Sequence, residues 1–167
     1  MKGLLHYLGR APRRRPSVVG AAATVAFVAG GLLVAWSAYI HFHLWGEPEG
    51  YRQLSVIGPL FLLQAIGGLV VAILLVAVRR VWMALAGIGY AASTAVGFLL
   101  CVALPKGLFN FKETWQAPFA HLAFVVEVAI VVVLLVAGAL CLVGARPPEE
   151  AALSASGGDR RKDRSRV

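Results

Sequence analysis

Residues 39–64 read YIHFHLWGEPEGYRQLSVIGPLFLLQ, and the way this stretch is divided decides the fold. Its first third closes a long apolar run and its last third opens another, with a polar turn between them. Gly46, Pro48 and Gly50 punctuate that turn and make it tight and shaped. The run before it, residues 17–45, exceeds the roughly 20 apolar residues that span a bilayer, and the run after it, residues 54–78, also exceeds that length. Two membrane-crossing helices joined by a short loop account for the pattern.

The same alternation continues. The second run is closed by Arg79 and Arg80, and a third run covers residues 81–104, ending at Pro105, which cannot continue a helix without cost. A fourth covers about residues 117–144, with Pro118 placed in its first turn, where a missing N–H costs little. The sequence therefore predicts an all-α bundle of four transmembrane helices over residues 17–145. A basic leader precedes it at residues 1–16, and a disordered tail rich in small and charged residues follows at 146–167. Composition agrees: 59% of the 167 residues are apolar and 14% are charged, against about 25% charged in a soluble domain. The first run is too long for the roughly 7–15-residue core of a cleaved signal peptide, so it reads as an uncleaved first span.

Charge placement predicts the threading. The leader holds five Lys and Arg residues, the Arg79/Arg80 connector two and the tail six, against only Arg52, Lys106 and Lys112 on the opposite side. By the positive-inside rule both termini are expected in the cytoplasm of a bacterial plasma membrane, with loops 46–53 and 106–116 outside. Trp45, Tyr51, Phe109, Phe111 and Trp115 then form an aromatic belt at the outer interface, and Trp82 marks the inner one. The net charge of +8 lies on tails and a connector with no basic face of interleaved aromatics, so nucleic-acid binding is not expected.

Lipid gives helices no hydrophobic reason to associate, so small residues must let backbones approach. Gly89, Ser93 and Gly97 form such a stripe on the third span, Gly67 and Gly68 on the second, and Gly30, Val34, Ser37 and His41 on the first. The Arg79/Arg80 turn makes spans two and three antiparallel neighbours. Gln64 and Glu127 each lie about ten residues into their spans, near the midplane and at similar depth. A charged carboxylate facing lipid there costs on the order of 3 kcal/mol, so Glu127 is expected to face inward, protonated or paired. Two readings stay open: Gln64 and Glu127 as interhelical glue, or as a proton or substrate site.

His41 and His43 point to nearly opposite sides of one helix, and His41, on the small-residue face, is the inward one. His121 lies at a similar depth on the fourth span. The two readings are a pair of interfacial histidines bonded to backbone or water, and a haem or transition-metal site using His41 and His121, with Glu113 or Glu47 as a further ligand. No third ligand stands at fixed spacing, so no cofactor is predicted. Arg52 is expected to pair with Glu47, Glu49 or Glu113. Loop 106–116 either lies flat among headgroups, with Lys106 and Lys112 on phosphates, or forms a lid over the His41/His121 end. Cys101 and Cys141 stand alone and read as packing residues. No phosphate-binding loop, nucleophile elbow, metalloprotease motif or nucleophile–base pair is present, and the expectation leans against an enzyme.

The runs HFHLW, GYR and IGPLFLLQ, with the later GLFNFKETWQAP and a carboxylate in the last span, resemble an uncharacterised family of small four-span integral membrane proteins from actinobacteria. The resemblance covers about residues 17–145 and implies the fold and the membrane, with no activity. The leading expectation is a non-enzymatic multi-pass protein in which His41, Tyr51, Arg52, Gln64, Glu113, His121 and Glu127 form an outer-side cluster for a small ligand, a membrane-protein partner or a second copy. The alternatives are a haem- or metal-binding redox subunit, and a proton-coupled small transporter centred on Glu127.

Overall fold

A computed structural model of the chain describes residues 18–144. The basic leader and the charged tail lie outside the described residues. In a bilayer every backbone N–H and C=O must be satisfied within the chain, and a helix does this segment by segment. Four helices result: α1 (Val18–Gly46), α2 (Ile57–Val78), α3 (Val81–Ala103) and α4 (Ala120–Val143). All four are long and apolar enough to cross a membrane, as expected of a small multi-pass membrane protein. Among the described residues there is no β-strand, only one isolated bridge between Leu108 and Phe111.

The helix ends follow local chemistry. The turn after α1 contains a short 3-10 segment, Tyr51–Gln53, and α2 begins only at Ile57, with Pro59 in its first turn. Arg79 takes a left-handed conformation (φ 47°) and Arg80 an extended one, which together reverse the chain into α3. The fourth helix starts at Ala120 rather than near residue 117, so Pro118 lies just outside its first turn. The cause is Phe119, whose φ of 63° breaks any helix at that point. At 29 residues α1 is the longest helix, about 43 Å against a hydrocarbon core of about 30 Å.

Around the bundle the helices are ordered α2, α1, α4, α3. α1 packs extensively on α2 and α4, and α4 on α3. Of the neighbouring pairs α2 and α3 touch least, although the turn between them is short. They start side by side at Arg79 and diverge toward the opposite end, which carries loops 47–56 and 104–119. Small residues decide the close approaches. A methyl group on Gly68 would fall 2.9 Å from the Ala38 Cβ and against the Tyr90 ring, so α1, α2 and α3 meet there only because residue 68 has no side chain.

The small-residue stripe that packs α3 is not the one expected. Gly89 and Ser93 are exposed, and a Cβ on Gly89 or Gly97 would meet nothing. The buried stripe is Ala84, Gly87 and Ala91, with Gly87 set against Leu134 and Leu75. Tyr90 and Thr94 reach toward α2, Ser93 and Gly97 beside them line open space between α2 and α3, and Gly89 faces outward. On α1, Gly30, Val34, Ser37 and His41 are all buried, as their spacing predicts. Toward the Arg79 end the interior is filled by Phe27, Leu75, Met83, Ile130 and Leu134, none more than 1% exposed. In lipid this core is held by dispersion contacts between well-fitted side chains rather than by exclusion of water.

Candidate functional site

Each helix contributes one polar residue to a common level of the bundle: Ser37 from α1, Gln64 from α2, Tyr90 from α3 and Glu127 from α4. The Ser37 hydroxyl lies 2.5 Å from Glu127 Oε1 and 3.3 Å from the Tyr90 hydroxyl. Tyr90 donates to the Gln64 backbone carbonyl at 3.2 Å, and the Gln64 amide donates to the Thr94 hydroxyl, which in turn donates to the Tyr90 carbonyl at 3.0 Å. The result is a continuous polar chain across all four helices. Gln64 and Glu127 are joined through Ser37 and Tyr90, not by the direct bond that their shared depth invites. Buried polar groups are tolerated in such a place because they are bonded to one another.

One atom in this chain is left over. Glu127 is 2% exposed, and its second oxygen, Oε2, has no partner among the described residues. A buried polar group without a partner costs roughly 1–3 kcal/mol, so its retention calls for an explanation. His41, one turn beyond Ser37, donates from Nδ1 to the Ser37 carbonyl at 2.8 Å. That bond fixes the tautomer of the neutral ring and leaves Nε2 as an acceptor.

Between this polar level and the loops lies a cavity of about 330 Å³, in the wedge where α2 and α3 separate. Its floor holds Glu127 and Gln64, and its walls are mainly aromatic and aliphatic, including Phe61, Phe98, Phe124 and Ile40. Glu127 lies seven residues into α4, about 10 Å from the helix start, so the cavity reaches well into the span. Leu60 and Leu63 of α2 and Ser93 of α3 line the cavity and are themselves exposed on the bundle surface. They form a rim that opens sideways between the two helices.

The roof is built by the loops. Leu108 and Phe111 exchange two backbone hydrogen bonds (3.0 and 2.9 Å) around Phe109 and Asn110, both with positive φ, which makes a two-residue turn of type I′. Gly107, at φ 67°, sits where any Cβ would collide with the Phe111 carbonyl. Lys112 donates to the carbonyls of Val102 and Leu104 at 2.6 and 2.7 Å, satisfying orphan acceptors at the end of α3 and adding a cation at its negative pole. The lysine therefore folds the loop inward instead of extending to phosphates. Tyr51 donates to Glu113 Oε2 at 2.6 Å and stacks on Phe61 with ring centres 4.3 Å apart. Burial, and then the bond to Glu113, raise the Tyr51 phenol above its ordinary range.

Of the seven residues singled out in the sequence, five line the cavity: His41, Tyr51, Gln64, Glu113 and Glu127. Arg52 and His121 do not. Arg52 is exposed and makes no ion pair among the described residues; Glu113 bonds Tyr51, and Glu47 instead pairs with His43 at 3.3 Å. His121 is exposed, and its ring packs on Trp115 at 5.3 Å. His41 and His121 thus do not share the cavity, and no group of three metal-type ligands occurs among the described residues. Members of the expected aromatic belt turn inward: Tyr51 and Phe111 line the cavity, and Trp115 packs edge-on against Phe98 and Phe124. Tyr90 and Thr94 were missed. Their signal was available, because a tyrosine and a threonine one turn apart in the middle of an apolar helix share a face.

Comparisons with family models, with curated proteins and with solved structures gave no match to this chain.

Proposed function

We propose that this chain is a non-enzymatic binding protein of a bacterial plasma membrane, taking a small amphipathic ligand from the bilayer into the wedge between α2 and α3. The observation that carries this reading is the rim. Leu60, Leu63 and Ser93 are at once cavity lining and outer surface, so the cavity communicates with the acyl-chain region. A cavity of about 150 Å³ accommodates benzene, and 330 Å³ therefore accommodates about a dozen non-hydrogen atoms. Mostly apolar walls with a few convergent polar groups are the usual makeup of a ligand site.

The charge asymmetry of the sequence supports placing both termini in the cytoplasm and the roofed end outside. Binding is favoured over proton-coupled transport by what lies beyond Tyr90. The interior there is Phe27, Leu75, Met83, Ile130 and Leu134, with no fully buried polar side chain among the described residues and with the part-buried Thr24 bonded back to its own helix at the Gly20 carbonyl.

The test uses the full chain in lipid nanodiscs with Trp36, Trp45 and Trp82 changed to Phe, leaving Trp115 against two cavity-wall rings as the reporter. Addition of ω-bromodecanol, a heavy-atom quencher of about the right volume, is expected to quench Trp115 saturably. Ala123→Leu, which fills the cavity from α4, is expected to abolish the saturable component while leaving helix content unchanged. Quenching that rises linearly with partitioned probe and ignores Ala123→Leu would overturn the reading.

A further inference from the structure

The chemistry of the ligand's polar end follows from counting protons along the chain of hydrogen bonds at the cavity floor, and it rests on the cavity reading above. The Gln64 carbonyl can only accept, so the single hydroxyl proton of Tyr90 is committed to it. The contact between Ser37 and Tyr90 is then a hydrogen bond only if Ser37 donates. An ionised Glu127 accepts the Ser37 proton in a hydrogen bond on Oε1; with Ser37 donating to Tyr90 instead, the same 2.5 Å contact is a hydrogen bond when the acid's own proton sits on Oε1. In the latter arrangement each hydroxyl donates once, Glu127 is a neutral acid suited to the apolar surroundings, and Oε2 is a carbonyl-type acceptor with no donor. Were Glu127 ionised, Oε2 would again be an acceptor. Only a proton on Oε2 itself would make that atom a donor, and this arrangement leaves the contact between Ser37 and Tyr90 without a proton.

His41 adds a second acceptor by the same reasoning. Its Nδ1 proton goes to the Ser37 carbonyl, and in the neutral ring Nε2 has a lone pair and no partner among the described residues. Both residues line the cavity. The floor therefore offers acceptors where it has no donor to match them, beneath walls that suit an apolar body. The terminal torsion of a glutamate is broad, so a small rotation of the carboxyl brings Oε2 to the cavity surface.

We propose that the cavity selects a neutral amphiphile bearing a hydroxyl group, whose O–H donates to Glu127 Oε2 while its apolar part occupies the aromatic walls and leaves through the gap between α2 and α3. A hydroxyl matches this floor because it brings the missing proton without bringing charge into the span. A cationic amine would bring a charge with no carboxylate to neutralise it, and a ketone or ether would set one acceptor against another.

The Trp115 reporter separates these outcomes with three probes of matched length: ω-bromodecanol, its methyl ether and the corresponding methyl ketone, each compared after correction for its own partitioning into the nanodisc. The alcohol is expected to bind at least about tenfold more tightly than the ether or the ketone, the equivalent of one buried hydrogen bond gained. Glu127→Leu is expected to erase that preference while retaining saturable binding of all three. Equal binding of alcohol and ether in the unsubstituted floor would overturn this inference and leave the cavity reading standing. Preference for the ketone would overturn it by showing that Oε2 carries the proton. An alcohol preference that survives Glu127→Leu would overturn the assignment to Glu127. If none of the probes quenches saturably, the cavity reading falls and this inference falls with it. The comparison among probes needs no variant of the floor, so it stands even if Glu127→Leu does not fold.

Discussion

The two halves of the bundle solve different problems with the same four helices. Toward the Arg79 end, Phe27, Leu75, Met83, Ile130 and Leu134 interlock without exposure, and Gly30 and Gly87 lie against Leu134 so that three backbones close around it. Toward the loop end, α2 and α3 part, a polar chain replaces the apolar core, and a cavity of about 330 Å³ is left under a folded roof. A chain selected only for packing would close the second half as it closes the first. Instead, a carboxyl oxygen with no partner among the described residues, an acceptor imidazole and six aromatic rings surround the cavity, which is the arrangement the binding proposal accounts for.

The largest effect is expected in the closed half. Leu134→Ala removes a fully buried side chain that touches two helices, and it is expected to destabilise the bundle by about 2–5 kcal/mol. Reversible unfolding in mixed micelles measures this. Binding of the brominated alcohol per folded molecule should be unchanged, and a loss of binding without a loss of stability would break the separation between the halves. Ser37→Ala comes next. It strips Glu127 Oε1 and Tyr90 of a shared partner, and a cost of about 1–3 kcal/mol is expected. In combination with Tyr90→Phe the two effects should fail to add, because the hydroxyls belong to one chain; strict additivity would show that the chain does not act as a unit.

The smallest effect is expected at the roof. Tyr51→Phe removes the bond to Glu113 but keeps the stacking on Phe61, so global stability should fall by no more than about 1.5 kcal/mol while amide exchange in residues 104–119 accelerates. The pH dependence has a definite sign. A phenol whose folded value is raised contributes stability fully below the ordinary tyrosine value of about 10, and that stability is lost as pH rises beyond it toward the folded value. Exchange protection of the roof should therefore be insensitive to Tyr51 ionisation at neutral pH and decline only in strongly alkaline buffer. A decline near neutrality would point to a different latch.

The number of helices was legible because lipid imposes it: four apolar runs of sufficient length admit no other spanning structure. The rotation of each helix was legible only where one residue type stood out. On α1, Ser37 and His41 shared a face with Gly30, and burial follows that face. On α3 two small-residue stripes competed, and spacing alone could not rank Gly89, Ser93 and Gly97 below Ala84, Gly87 and Ala91. The contest is settled by Tyr90 and Thr94 reaching Gln64, a tertiary fact with no one-dimensional signature. Partners were harder still. Glu113 looked like an acid awaiting Arg52, whereas the folded loop brings it to Tyr51. The loop geometry depends on positive φ at Phe109 and Phe119, which few aromatic residues adopt and which no propensity rule assigns to them.

The two carbonyl bonds of Lys112 bear on how the threading of this chain can be mapped. An amine held between the carbonyls of Val102 and Leu104 is a poor nucleophile toward acylating reagents, while the Lys106 amine, two residues beyond Leu104, makes no such bond among the described residues. Side-specific labelling with an impermeant ester should therefore mark Lys106 far ahead of Lys112, and silence at Lys112 is a report on helix termination, not on which compartment the loop faces.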